Sequence, residues 1–387
     1  MTGPELTLDV GAVAHGGHCV ARAPDGRVVF VRHALPGERV VARVTEERRG
    51  YLRADAVSVL APAPERVAPP CRYAGICGGC DFQHVAPAAQ RELKAAVVRE
   101  QLGRLAGLSP AEVDELGVRV EELPGGPLGW RTRVRYTVDA AGRAGLLAHR
   151  SHEVVPVDRC LLAHPDIQAL PVTGDPWPGD DHVTAVAASG GDVCVYGDHG
   201  DPGRVTEFAV GRRWRLPAGV FWQVHPDAPD VLAGTVLELL DPRPGERAWD
   251  LYGGAGLFAA VLAEAVGPAG AVTLVEADRA AAAAARDNLA DLPAVRVVRC
   301  TVERFRPADR PDVVVLDPPR SGAGAAVAGT VMAAAPRAVA YVACDPAAFA
   351  RDVATFREAG WRLAELRAFD TFPMTHHVEC VGLLRPR

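Results

Sequence analysis

Lysine is almost absent from this chain: Lys94 is the single one among 387 residues. Arginine and alanine are abundant, so the scarcity reads as coding bias. No apolar run reaches the roughly 18 residues that a membrane span requires, so no membrane partner is expected. Met1 to Val10 carry neither a basic stretch nor an apolar core. No secretory signal is read there, and a cytoplasmic location is the default expectation. A disulfide framework is excluded as well, because nine unevenly spread cysteines in a chain this long do not make a stapled scaffold. There is no repeat of fixed period. The formal net charge is −6, so bulk electrostatics do not advertise nucleic-acid binding.

The length and the 49% hydrophobic content suit a globular protein of two or three domains, expected as a monomer. Residues 5–60 alternate apolar and polar positions in short runs separated by Gly16-Gly17, Pro24-Asp25-Gly26 and Leu35-Pro36-Gly37. That spacing predicts a small β-barrel of the oligonucleotide-binding kind. Eight arginines from Arg22 to Arg53 give it a basic bias, and Trp130 to Arg135 form a second small basic cluster. Solvated strand faces look the same, so these patches alone do not identify a polyanion partner. A proline-rich linker, Ala61 to Pro70, closes the unit. A helix over about 87–105 follows, with Leu93, Val97, Val98 and Leu102 on one face. Residues 118–216 read as mostly β. From Glu246 onward strands and helices alternate, the pattern of a doubly wound parallel sheet. The expected units are 1–61, 62–218 and 219–387, with the 87–105 helix able to pack on the third.

Two stretches carry chemistry. Tyr341-Val342-Ala343-Cys344-Asp345-Pro346 places a thiol just past an apolar strand, where open α/β sheets hold their ligands. A thiolate there can attack an electrophilic carbon; a packed, inert cysteine is the bland alternative. Upstream, Asp250 to Leu257 is a strand, a glycine turn with Gly254 and Gly256, and a helix start. Glu276 ends the next strand, where a carboxylate can accept both ribose hydroxyls of an adenosine. This also matches a dinucleotide fingerprint, which keeps a nicotinamide-dependent iron–sulfur oxidoreductase open. Asp250 before the loop and Asp317-Pro318-Pro319-Arg320 after it favour S-adenosyl-L-methionine, the first because an acid suits a cationic cofactor.

Methylating C5 of uracil needs a nucleophile that adds to C6, then a base that removes the C5 proton. Cys344 and Glu379 supply the two. Glu379 sits in an apolar strand (Val378, Val381, Leu383), where burial raises a carboxyl pKa; a paired surface carboxylate is the bland reading.

Phe221-Trp222-Gln223-Val224, the Asp250–Gly256 loop, the Asp317–Arg320 loop, the Cys344 segment and Phe372-Pro373-x-Thr375-x-His377-Val378-Glu379 together resemble the bacterial RNA uracil-5-methyltransferases over nearly the whole chain. The resemblance implies a Rossmann-like class I methyltransferase domain, a mostly β central domain and an amino-terminal TRAM barrel that grips RNA. It implies that Gln223, Tyr252, Glu276 and Asp317 line the cofactor and base pocket, with Cys344 the nucleophile and Glu379 the proton acceptor. Thr301 falls where a polar residue often holds the adenine. Asp345 stands where the family usually has asparagine; an acid there opposes ionisation of the thiol unless it is turned away.

Cys71, Cys77 and Cys80 lie within ten residues, and Cys160 is the best fourth ligand for zinc or an iron–sulfur cluster. The C-x5-C-G-G-C spacing followed by Gln83-His84 resembles the subgroup that carries a 4Fe-4S cluster. Members with both barrel and cluster point to 23S rRNA as substrate. Transfer RNA stays open, as does a non-catalytic RNA-binding protein.

Overall fold

The computed structural model describes residues 3–387. At the amino end, β1 (Glu5–Asp9), β2 (Val13–Ala14), β3 (His18–Arg22), β4 (Val28–Arg32), β5 (Arg39–Glu47) and β6 (Tyr51–Ala61) form one sheet, ordered β1-β5-β6-β4-β3-β2. Successive side chains point to opposite faces, so in β5 Val40, Ala42 and Val44 are buried while their neighbours face out. Glu38 fastens the barrel to the following linker. Its buried carboxylate accepts from the amides of Leu35 and Ala63, at 2.8 and 3.1 Å, and from the Arg66 guanidinium.

The region read as one central domain, 62–218, is divided in the structure. Only β8 (Arg133–Val138), β9 (Ala144–Leu147), β10 (Val154–Val155), β11 (His182–Ala187) and β12 (Val193–Gly197), with the short helix α3 (Pro165–Gln168), form a separate sheet. α1 (Pro87–Arg104) and α2 (Pro110–Glu115) precede it, and β7 (Val120–Glu122) pairs in parallel with a strand of the carboxyl-terminal sheet. The hairpin β13 (Arg204–Ala209) and β14 (Arg212–Pro217) packs Trp214 and Leu216 into that sheet's core. A three-residue edge strand and a lone hairpin leave no periodic signal that says which sheet they join.

The remaining elements are α4 (Ala228–Leu240), β15 (Arg247–Leu251), α5 (Leu257–Val266), β16 (Ala271–Glu276), α6 (Arg279–Asn288), β17 (Val295–Arg299), β18 (Val313–Leu316), α7 (Gly324–Ala334), β19 (Ala338–Ala343), α8 (Pro346–Glu358), β20 (Trp361–Asp370) and β21 (Glu379–Pro386). The sheet order is β17-β16-β15-β18-β19-β21-β20-β7. Strands β15 to β19 run parallel, and β21 is antiparallel to both its neighbours. Both faces are covered at β16, β18 and β19, which is why those strands read as apolar runs, whereas the edge strand β17 carries Arg296 and Arg299 and is only partly buried. Alternate residues of β18 feed opposite cores. Val313 and Val315 pack with α4, α5 and α6, whereas Val314 and Leu316 pack with α1, α7 and α8. Strand order reverses between β15 and β18, and such a switch point is where open sheets bind ligands.

Helix α1 differs from its sequence reading. Its buried side includes Gln90, Lys94 and Gln101 as well as Val98 and Leu102, while Leu93 is only half-buried. Gln90 accepts from the Met374 amide at 2.9 Å and donates to the Val85 carbonyl. Lys94 donates to Asp370 at 2.5 Å and to the Phe372 carbonyl at 3.0 Å. The one lysine, read from composition as a coding accident, is thus enclosed. It anchors the loop that leads into β21.

Candidate active site

Every parallel strand of the large sheet delivers its carboxyl end to one side, and β21, being antiparallel, delivers its first residue there. Ala343 of β19 pairs with Cys380 of β21, so the next residue on each strand, Cys344 and Glu379, emerges at the same sheet end. Both line a cavity of about 1040 Å³. So do Tyr252 after β15, Glu276 at the end of β16, Asp317 after β18, and Gly254 and Gln223. Gln223 is placed by alternation: Trp222 is buried against Trp214, and Phe221 stands 68% exposed at the rim.

The glycine loop is held from beneath and beside. Glu276 accepts from the Gly254 amide at 2.9 Å and from the Asp278 amide at 2.6 Å. Gly256 caps α5 at φ 101°, and a Cβ there would lie 2.6 Å from Leu289. It shapes the loop without lining the cavity, as only glycine can at that φ. Tyr252 sits at φ 66°, a left-handed conformation that turns the chain over the cavity.

Two readings need correction. Asp250 does not face a cationic cofactor: it is fully buried, and one carboxylate oxygen accepts from the Ala259 amide of α5 at 2.9 Å. Burial, with Asp317 and Glu276 adding repulsion, pushes its carboxyl up to about 7. Thr301 does not line the cavity; it is exposed before a short 3-10 turn, Val302–Arg304. Its position after β17 lies two strands away from the switch point.

The electrostatics beside Cys344 and Glu379 are those of buried acids opposed by Arg320. Burial, then the charge of Asp317, drives Glu379 well above the usual carboxylate range, against the opposing pull of Arg320. Burial and the neighbouring Glu379 push the Cys344 thiol up to about 12. In the ligand-free protein the thiol is therefore protonated near neutrality, and its ionisation awaits a bound partner. Asp345 behaves oppositely. Burial would raise it, but hydrogen bonds from His15 and the Ala348 amide bring it down to about 2.

The wall opposite the sheet was legible only in part, through the terminal motif that carries His377 and the basic cluster at Trp130 and Arg131. Gly78, Gly79 and Asp81 from the cysteine loop, Trp130 and Arg131, and His149 all border the cavity, as do His376 and His377. Asp81 accepts from His376 Nδ1 at 2.6 Å and from the His376 amide at 3.0 Å. Burial pushes His377 down to about 3 and His149 to about 4, so both present neutral imidazoles.

Cys71, Cys77, Cys80 and Cys160 border a separate narrow cavity together with Arg131 and Arg159. The Gly79 amide donates to Cys77 Sγ at 3.4 Å, and Gln83 Nε2 to Cys80 Sγ at 3.1 Å. Among the described residues, no group of three or more His, Cys, Asp or Glu side chains is gathered to hold a metal ion. The four thiols share a cavity without converging on a point. Among the described residues, too, no helix is long and apolar enough to cross a membrane.

An open sheet of this order, with a glycine loop and acids at its switch point, defines a class I methyltransferase domain, here joined to a small β-barrel. The barrel matches the TRAM domain over residues 1–57, and residues 231–387 match the tRNA (Uracil-5-)-methyltransferase family. An "Uncharacterized RNA methyltransferase" of Streptomyces avermitilis is 47% identical, covering 99% of both chains. The "23S rRNA (uracil(1939)-C(5))-methyltransferase RlmD" of Alkalilimnicola ehrlichii is 34% identical over 98% of this chain and 96% of that protein. The crystal structure of the Pyrococcus abyssi tRNA (uracil-54, C5)-methyltransferase with S-adenosyl-L-homocysteine superposes with a TM-score of 0.72, covering 98% of this chain and 100% of that one. Its 20% identity makes that a likeness of fold. The chain belongs to the RNA uracil-5-methyltransferase family.

Proposed function

We propose that this protein forms 5-methyluridine in RNA, with Cys344 as nucleophile, Glu379 as proton acceptor and S-adenosyl-L-methionine as methyl donor. The reading is carried by one observation: Cys344 and Glu379 open on a single cavity that Glu276, Tyr252, Gly254 and Gln223 also line. The Cys344 thiolate adds to C6 of the flipped uracil, and electron density moves onto C5 and O4. S-adenosyl-L-methionine supplies the methyl group that C5 receives. Glu379 takes the C5 proton, the C6–S bond breaks, and the thiolate leaves. Arg320, facing the same cavity, is the cation that offsets charge on the ring and on the thiolate. Glu276, beside the glycine loop, is the acceptor for the ribose hydroxyls, and Phe221 is an exposed face on which a base can stack.

The proposed substrate is 23S rRNA, on the strength of the full-length likeness to the Alkalilimnicola protein. Transfer RNA is the second reading, favoured by the family name matched at the carboxyl end. Tritium from methyl-labelled S-adenosyl-L-methionine is expected in protein-free 23S rRNA and not in tRNA. Label in tRNA alone would overturn the rRNA assignment. Phe221→Ala is expected to raise KM for RNA about tenfold, one stacked base, with KM for S-adenosyl-L-methionine unchanged; equal RNA KM would remove the stacking role.

For the four cysteines we propose a 4Fe-4S cluster. Four thiols around one cavity, two of them accepting from an amide and a carboxamide, with Arg131 and Arg159 lining the same cavity, suit an anionic multi-iron group better than one zinc ion. The cluster would brace the cavity wall, since the chemistry needs no electron. Protein purified without oxygen is expected to be brown, with about four irons per chain. Cys80→Ala should lose the colour; stoichiometric zinc in colourless protein would sink the assignment.

A further inference from the structure

The acid beside the nucleophile is not free. Asp345 caps α8, its Oδ1 accepting from the Ala348 amide at 2.7 Å, and its Oδ2 is hydrogen-bonded to His15 Nε2 at 3.0 Å. His15 belongs to the barrel, in the turn between β2 and β3. That turn is wedged against the catalytic centre: a Cβ on Gly17 would lie 2.8 Å from His376 Cβ and 3.0 Å from Asp81 Cβ. The His15 and His376 rings stand 6.4 Å apart, edge to face. One segment of the barrel therefore touches the nucleophile's loop and the loop before Glu379.

We propose that His15 is a positioning residue for the nucleophile. By holding Asp345 Oδ2 it commits the second carboxylate oxygen away from the thiol, so the barrel turn becomes part of the catalytic machinery. The inference rests on Cys344 being the nucleophile.

Charge explains why such a device is needed. Burial, Glu379 and Asp317 already oppose ionisation of Cys344, and only Arg320 and a backbone hydrogen bond at Cys344 favour it. Asp345 stays ionised at any working pH. Released from His15, its carboxylate would add a third anion next to the thiol through a rotation of its own side chain. The pair is not sealed from water, with side chains 37% and 25% exposed, so its contribution is to orientation and not to fold stability. An asparagine at 345 would cap α8 equally well without the charge.

A double-mutant cycle decides it. His15→Ala is expected to lower kcat for RNA methylation roughly tenfold, one pKa unit of lost ionisation, with KM for S-adenosyl-L-methionine unchanged. The rate of Cys344 alkylation by iodoacetamide at pH 8, followed on its peptide by mass, should fall in parallel. In the Asp345→Asn background, His15→Ala should cost less than about twofold on both readouts. A loss confined to KM for RNA, or one equally large in the Asp345→Asn background, would overturn the proposal and leave His15 an RNA contact. Wild-type protein that forms no covalent adduct with 5-fluorouridine RNA would instead overturn the nucleophile assignment beneath it.

Discussion

Cys344→Ala is expected to lower methyl transfer by on the order of 10³-fold or more, and to abolish the adduct with 5-fluorouridine RNA. The adduct is the sharper readout. Fluorine at C5 cannot leave as a proton, so the enzyme stalls with its sulfur bonded to C6, and the complex survives denaturing gels. Glu379→Gln should differ in kind. Addition still proceeds, but the C5 proton has no acceptor, so ordinary uridine RNA becomes trapped while turnover falls by about 10²–10⁴. The two variants thus stall the reaction on opposite sides of the covalent intermediate. The position of Glu379 makes this separation testable, because it is buried beside the thiol and, among the described residues, its side chain has no hydrogen-bond partner that a glutamine would break. If Cys344→Ala still forms the adduct, or Glu379→Gln turns over as wild type, the covalent route is wrong.

The second large effect lies far from the chemistry. Lys94→Met leaves the Asp370 carboxylate buried without its cation, a change that costs about 3–5 kcal/mol. That corresponds to a fall of roughly five degrees in the melting temperature. The same substitution frees the Phe372 carbonyl, and with it the loop from Phe372 to Val378 that sets where Glu379 begins β21. Activity should fall further than stability alone explains. Lys94→Met combined with Asp370→Leu removes both charges and should recover most of the melting temperature. A single variant melting within two degrees of wild type would show that the pair does not anchor the loop.

What could be read beforehand divides along physical lines. The strand–turn–helix units of the large sheet were legible because buried strands are short apolar runs and glycine marks the turn after β15. Cys344, Asp317 and Glu276 were legible for the same reason, each following such a strand. Helix α1 was half-read: a hydrophobic stripe finds Val98 and Leu102, but nothing in composition says that Gln90 and Lys94 point inward with them. The reading of 62–218 as one unit did not show that β7 pairs with β20, that α1 packs on α8 or that the β13–β14 hairpin packs on α6, because partners so far along the chain leave no local signal. Asp250 misled because an acid before a glycine loop looks the same whether it faces a ligand or holds the helix behind it. His149 and the His376–His377 pair lie in segments far apart in the chain that meet only once the central and carboxyl-terminal sheets are assembled.

Because Lys94 is both the sole lysine and enclosed by Asp370 and Phe372, amine-directed acylating reagents meet no accessible lysine on the intact fold. Its modification rate therefore serves as a clock for how often the segment around Phe372 swings open. Every positive side chain left to meet a phosphate backbone is a guanidinium (histidine apart), so arginine-directed dicarbonyls, and not amine cross-linkers, are the reagents with which to footprint bound RNA.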